Sequence, residues 1–392
     1  MNKFSRTLQL SELLNTKSHF LFGPRATGKS FLIREQLSSH AVIVNLLRTE
    51  YYLKLSAAPS QLENIIEFEL KQLPPDAWIV IDEVQKIPML LDEVHRLIEE
   101  KHYRFLLTGS SARKLKYGQS NLLAGRAWKA ELFPLTSREI PEFDLENYLI
   151  RGGMPAVVLS NNPAEELDAY VSLYLREEIQ AEGLVRNLAP FSRFLTHAAQ
   201  SNGQILNFSK LGNDAQLPPS TVREYFQILE DTLIGFTVPA WTQSTHRKAQ
   251  STAKFFFFDI GVVNTLCGIH SIERNSDLYG TRFEQFMALE LRAMLSYFRV
   301  KETLSFWRTT QQDEVDFLIG NTIAIEVKSK TRTSMRDTKG LKHLRNEGVF
   351  TSFFLVSQDP VNRIEDGIQF VYWETFLDML WKREIVSDPL SS

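Results

Sequence analysis

Gly23-Pro24-Arg25-Ala26-Thr27-Gly28-Lys29-Ser30 is the stretch on which the fold turns. It matches the spacing of a G-x-x-x-x-G-K-[ST] loop. Glycines let successive backbone N–H groups close around phosphate oxygens. A lysine there reaches the β- and γ-phosphates, and a serine hydroxyl binds Mg²⁺. The flanks agree. His19-Phe20-Leu21-Phe22 reads as a strand entering the loop, and Phe31 to Leu37 as a helix leaving it. Strand, loop and helix in that order are the setting the motif requires. Gly23, Pro24, Arg25, Ala26, Thr27, Gly28, Lys29 and Ser30 are therefore candidate contacts to ATP, with Lys29 on the phosphates and Ser30 on Mg²⁺.

Further along, Ala41 to Leu47 is a continuous apolar run of the kind found in buried parallel strands. Trp78-Ile79-Val80-Ile81 is a second run and ends in Asp82-Glu83. Such a strand carries Asp82 to the carboxyl edge of the sheet, where it can hold Mg²⁺. Glu83 can then draw the proton from an attacking water. Arg104 to Ser111 is a third strand, ending in small polar groups. Thr108 and Ser110 could sense the γ-phosphate or place the water, or could cap the next helix. Asn121-Leu122-Leu123-Ala124-Gly125-Arg126 follows. The Arg126 guanidinium could stabilise transition-state charge in cis or from a neighbouring copy, or could be a surface arginine.

These motifs, in this order, resemble the AAA+ ATPases. More narrowly, they resemble prokaryotic predicted ATPases that join such a domain to a C-terminal domain of uncertain function. The resemblance implies an α/β P-loop fold with the phosphate-loop strand central and Asp82 on a neighbouring strand. Arg151-Gly152-Gly153-Met154-Pro155 resembles a Gly-x-Pro element near the adenine in related signalling ATPases. That makes Gly153 and Pro155 candidate base-side contacts or a hinge; as bare residues they signal a turn.

Composition bounds the rest. The chain has 392 residues, 43% hydrophobic and 23% charged, as expected for two or three globular domains. A net charge of −3, from 44 basic and 47 acidic residues, excludes a polybasic nucleic-acid binder, so any DNA contact needs a local patch. One cysteine, Cys267, permits no intrachain disulfide and fits a reducing cytoplasm. No apolar run reaches membrane-spanning length, and Phe255-Phe256-Phe257-Phe258 reads as a buried strand.

In the middle region, 163–182 has the acids and apolar period of a helix, and 188–201 of a second. Asn207 to Gly212, then a helix from Thr221 to Leu233 capped by Ser220 with Glu224 as its capping-box acid, then a strand over Gly235–Trp241, form a winged helix-turn-helix pattern. The second of these helices carries Arg223 against Glu224, Glu230 and Asp231. That balance suits a connector better than a DNA reader.

The last region opens with a helix over Thr281–Phe298, whose Phe283, Met287, Leu291, Met294 and Phe298 share one face. Glu284 falls within that apolar face, and a carboxylate there needs a partner. Glu314 to Ile319 and Thr322 to Lys328 are strands around Gly320-Asn321. Glu326 and Lys328 lie two apart and share a face. This arrangement resembles the PD-(D/E)XK nuclease core. In that resemblance Asp316 and Glu326 hold Mg²⁺, Lys328 helps activate water, and Glu284 is the helical acid, with Glu290 as a spare. Register decides whether it works. A two-residue loop sends Glu326 to the other face, whereas a three-residue loop, or a bulge, sets it across from Asp316. Lys328, Lys330, Arg332, Arg336, Lys339, Lys342 and Arg345, with Asp337 the one acid among them, suit a phosphate backbone or a solvated face.

The expected organisation is a P-loop ATPase domain over 1–145, a helical lid and winged-helix region over 146–270, and a nuclease-like α/β domain over 271–392. The expected partners are ATP and ADP, DNA at the C-terminal domain and further copies of the chain. A scaffold that holds DNA or a protein without cutting it is the alternative.

Overall fold

A computed structural model of the chain describes residues 4–74, 76–111, 123, 125–174, 188–243 and 252–386. The first region is a five-stranded parallel sheet. Its strands are β1 (Ser18–Phe22), β2 (Ala41–Asn45), β3 (Trp78–Asp82), β4 (Phe105–Gly109) and β5 (Ala127–Glu131). β1 and β4 are buried along their whole length, as strands covered on both faces must be.

The order is β2-β3-β4-β1-β5. This corrects two expectations. Asp82 does not lie on the strand next to the phosphate loop, because β4 separates β3 from β1. The central strand is β4, not β1. The chain crosses from β1 to the far edge and returns through β3 and β4. Parallel strands with near-continuous apolar runs look alike, so their order is fixed by packing across the chain.

The middle region begins with helices Leu145–Arg151, Pro155–Leu159 and Pro163–Ala169, the first and third packed on helix Ile260–Leu266, with a π-turn at Tyr170–Tyr174. The helix expected over 163–182 thus ends as an α-helix at Ala169, and 175–182 fall outside the described residues. Helices Leu188–Gln200, Phe208–Ala215 and Pro219–Asp231 follow. The last begins at Pro219, after Pro218, with no side-chain cap, so neither Ser220 nor Glu224 caps it. Proline's fixed φ suits the first helical turn. β6 (Gly235–Val238) then pairs antiparallel with β7 (Lys254–Phe257). Phe255, Phe256, Phe257 and Phe258 are buried, as expected.

The last region packs helix Asp277–Tyr297, capped by Ser276, on a six-stranded mixed sheet. Its strands are β8 (Leu304–Arg308), β9 (Glu314–Ile319), β10 (Ile323–Lys328), β11 (Ser352–Ser357), β12 (Arg363–Glu365) and β13 (Ile368–Tyr372), in the order β12-β13-β11-β10-β9-β8. β9 and β10 pair Ile319 with Ile323 and Phe317 with Ile325. The connection is therefore Gly320-Asn321-Thr322, and continuing the register sets Asp316 opposite Glu326.

Arg6, near the start of the chain, joins the first and last regions. It is buried, donates to the carbonyls of Thr27 (3.3 Å) and Phe133 (2.6 Å) and to the Tyr297 hydroxyl (3.2 Å), and pairs with Glu139 at 3.2 Å.

Candidate nucleotide site

β1 runs straight into the loop, and the loop into helix Lys29–Leu37. Gly28 has φ +92°, a conformation glycine adopts without strain. A Cβ on Gly23 would stand 2.4 Å from the Leu132 carbonyl oxygen, so this position also needs glycine. Thr27 Oγ1 donates back to the Pro24 carbonyl at 2.9 Å and closes the turn. Lys29 Nζ lies over the loop, donating to the carbonyls of Gly23 (2.6 Å) and Pro24 (3.0 Å).

Asp82 is the hub. Its Oδ2 accepts from Ser30 Oγ at 3.0 Å and from Asn45 Nδ2 at 3.2 Å. Its Oδ1 accepts from Thr108 Oγ1 at 2.5 Å. Although β4 intervenes, the Asp82 carboxylate reaches the serine of the loop helix, and Thr108 of β4 fills the gap between the strands. Two hard oxygen donors, Ser30 and Asp82, meet at the N-terminus of a helix beside a lysine. That donor set fits Mg²⁺ with a bound phosphate.

Glu83 follows at the sheet edge. Its backbone is left-handed, φ 63°, which is uncommon for a residue with a side chain and aims the carboxylate away from the strand. Its N–H donates to Thr108 Oγ1 at 3.2 Å. Its carboxylate accepts from Gln85 Nε2, which also donates to Ser110 Oγ at 3.3 Å. Asn45 and Gln85 were missed in the sequence. Asn45 is the polar end of an apolar run and pairs in register with Asp82, but nothing local marks it. Gln85 carries no motif at all.

Pro155 comes to the loop, whereas Gly153 packs on Leu135 and Tyr148. Pro155 Cγ lies 3.8 Å from where a Cβ on Gly28 would stand. A Cβ on Gly153 would meet the Leu135 carbonyl oxygen at 2.3 Å. Arg126 does not come to the loop. It precedes β5, whose Ala127 pairs with Ser18 at the start of β1. It therefore sits at the sheet edge opposite the phosphate loop, with Nε 2.5 Å from Glu99 Oε1. A role in cis is excluded by the length of β1.

Asp259 fixes the Gly152-Gly153 turn. Its carboxylate accepts from the N–H groups of Gly153 (2.8 Å) and Val262 (3.1 Å). Burial pushes its pKa up to about 6, against those donors, which lower it. The folded value thus exceeds the ordinary 3.8, and folding takes up a proton between the two. The stability this group contributes is complete below about pH 4, fades as pH rises through about 6, and amounts to about 3 kcal/mol in all. The unfolding free energy of the wild-type chain relative to Asp259→Ala should shrink accordingly in denaturant titrations run from about pH 4 to pH 7. A difference that does not move with pH rules the assignment out.

In the C-terminal region Glu284, Asp316, Glu326 and Lys328 converge, but not as a bare metal cradle. Lys254 of β7 enters among them, with Nζ 2.8 Å from Glu284 Oε1, 2.6 Å from Glu314 Oε1 and 3.8 Å from Asp316 Oδ1. Asp316 Oδ2 accepts the Val327 N–H at 2.8 Å. Lys328 Nζ is 2.5 Å from Glu326 Oε1. Burial raises Glu284 to about 7 against the pull of Lys254. Burial, with the Asp316 charge, raises Glu326 well above the usual carboxylate range. Glu290 is not a spare for this cluster: it accepts from the Ser137 N–H (2.7 Å) and Trp381 Nε1 (2.8 Å). Four cations of the basic run are also paired. Lys330 pairs with Asp337, Lys339 with Asp313, and Lys342 and Arg345 with Asp366.

Comparison with known proteins divides the chain in three. Residues 15–141 match the AAA domain family. Residues 142–273 and 279–376 match two domains of unknown function (DUF8612 and DUF4143). The chain is 23% identical over 319 residues to an uncharacterized protein of Haemophilus influenzae, covering 73% of this chain and 78% of that one. It is 22% identical over 342 residues to an uncharacterized protein of Methanocaldococcus jannaschii, covering 79% and 73%. Among solved structures, the ORC1 protein of Aeropyrum pernix in complex with DNA aligns with a TM-score of 0.28 and 13% identity, over 66% of this chain and 90% of that one. No helix of the described residues is long and apolar enough to cross a membrane. With the loop, Asp82 and the parallel sheet in place, residues 15–141 form a P-loop domain that matches the AAA domain family, followed by two regions that match families of unknown function.

Proposed function

We propose that the chain is an ATP-hydrolysing switch whose nucleotide state controls a C-terminal nuclease-like domain in contact with DNA. The observation that carries the ATPase reading is the sharing of Asp82 by Ser30 of the loop and Thr108 of β4, with Glu83 next in the chain. Loop N–H groups and Lys29 hold the phosphates. Magnesium held by Ser30 and Asp82 would neutralise charge on the β- and γ-phosphate oxygens. Thr108 keeps Asp82 and the Glu83 backbone in register, so the Glu83 carboxylate can take the proton of a water aligned with the γ-phosphate. Arg126 has one route left to that phosphate, in trans across a contact between copies.

Transmission is supported by Arg6, which touches Thr27 of the loop, Phe133 and Glu139 beyond the sheet, and Tyr297 of the C-terminal helix. Pro155, beside Gly28 of the loop, and Gly153, two residues before it, are the proposed base-side contact or hinge. The three helices before β6 and β7 are read as a winged helix acting as a connector. Its Arg223 guanidinium is engaged over the Phe208 ring, 5.0 Å from its centroid.

A nucleotide-gated scaffold that binds DNA or a protein without cutting is the second reading. The pairing of Lys330, Lys339, Lys342 and Arg345 with Asp337, Asp313 and Asp366 favours it. Phosphate release by the full chain, with and without DNA, tests the first step. DNA should change the rate, and a chain that turns over no ATP under any condition overturns the proposal. Linear, circular and single-stranded DNA incubated with Mg²⁺ or Mn²⁺ separates the two readings. Cutting that is lost in Asp316→Ala supports the nuclease, and DNA left intact while ATP is hydrolysed supports the scaffold.

A further inference from the structure

Lys254 crosses a region boundary. It opens β7 in the middle region, yet its ammonium ends inside the acidic cluster of the C-terminal sheet. The residue is 3% exposed. Its Nζ lies 5.3 Å from the centroid of the Phe306 ring, so apolar surface closes one side. Two of the carboxylates it faces, Glu284 and Asp316, are those a nuclease-like core needs for its divalent ion.

The cluster is close to neutral as it stands. Its acids are Glu284, Glu314, Asp316 and Glu326. Its cations are Lys254, Lys328 on Glu326, and Arg308, 3.1 Å from Glu314 Oε2. Buried carboxylates need such partners. A divalent ion binds carboxylate oxygens at roughly 2.0–2.6 Å, and an ammonium 2.8 Å from Glu284 Oε1 leaves that oxygen no room for it. Among the described residues, no three acidic, imidazole or thiol groups stand in a geometry that could hold a metal ion. One oxygen marks what is displaced: Glu326 Oε2 is buried and has no hydrogen-bond partner.

We propose that Lys254 is the resident cation of this cluster, a tethered ammonium that excludes divalent metal from the nuclease-like domain. This rests on the nuclease-like reading of that domain, in the form of a fold that keeps the carboxylates but fills their cation site from its own chain. Lys254 lies outside the nucleotide site, so its removal should leave ATP affinity intact.

The test is Mn²⁺ binding by the full-length, nucleotide-free protein, followed by electron paramagnetic resonance and by thermal unfolding. Wild type should show no Mn²⁺ site that Asp316→Asn removes. Lys254→Met, which keeps most of the apolar stem, should gain one site at least tenfold tighter than any wild-type site, lost again when Asp316→Asn is added. Mn²⁺ should raise the unfolding midpoint of Lys254→Met and not that of wild type. Should Lys254→Met fold poorly, Mn²⁺ should restore it, and Lys254→Gln offers a milder removal of the charge. Asp316-dependent binding in the wild type, unimproved in Lys254→Met, overturns the exclusion and leaves the nuclease-like reading standing. A variant that folds and binds ATP but gains no Mn²⁺ site overturns both, as does one that Mn²⁺ fails to rescue.

Discussion

Glu83→Gln should bind ATP as tightly as wild type and hydrolyse it roughly a hundred- to ten-thousandfold more slowly, the range a positioned general base contributes. The substitution keeps the volume and the strand end. An amide oxygen still accepts from Gln85, as the carboxylate does now. The Glu83 N–H bond to Thr108 is a backbone bond and survives. Ser30, Asp82 and Thr108 are untouched, so the phosphate and metal contacts remain. What is lost is a side chain able to accept a proton at neutral pH. Fluorescent-nucleotide titration and phosphate release measure the two halves separately. Turnover unchanged within a factor of three would remove Glu83 as the base and direct attention to water held by another group.

The parts of this site legible in sequence are those that are local. Gly23 to Ser30 and Ile79 to Glu83 are short runs in which spacing alone dictates backbone chemistry. The strand order was not legible, because the four largely buried strands β1 to β4 differ little in pattern, β5 is largely exposed and carries no apolar run, and neighbours are chosen by packing between distant segments. The same cause hid Asn45, Gln85 and Lys254, each of which acts through a partner far away or through a side chain with no motif. Arg126 shows the opposite failure. Its position after the third strand suggested the γ-phosphate, but β5 runs parallel to β1 and leaves it at the wrong edge. The Asp316–Glu326 pairing was legible as a condition, since face follows loop length, and the three residues Gly320 to Thr322 meet it. Ser220 failed as a cap because the helix begins two residues earlier, at Pro219 after Pro218.

Lys29→Ala should weaken ATP binding itself, in contrast to Glu83→Gln. Lys29 is 6% exposed and sits at the first turn of its helix. Its ammonium rests on the carbonyl oxygens of Gly23 and Pro24, so it already spans the mouth of the loop. With phosphate bound, it need only turn from those carbonyls to the β- and γ-oxygens. A charge-assisted hydrogen bond contributes about 1.5–3 kcal/mol, which corresponds to roughly a ten- to hundredfold rise in the dissociation constant. ADP, which lacks the γ-phosphate, should lose less. The fold should hold, since the helix keeps Leu32, Ile33 and Leu37 buried in the core, and alanine is a strong helix former. Calorimetric titration of both nucleotides decides the matter. Equal losses for ATP and ADP would mean that Lys29 reads only the β-phosphate, and no loss for either would break the assignment of residues 23–30 as the nucleotide site.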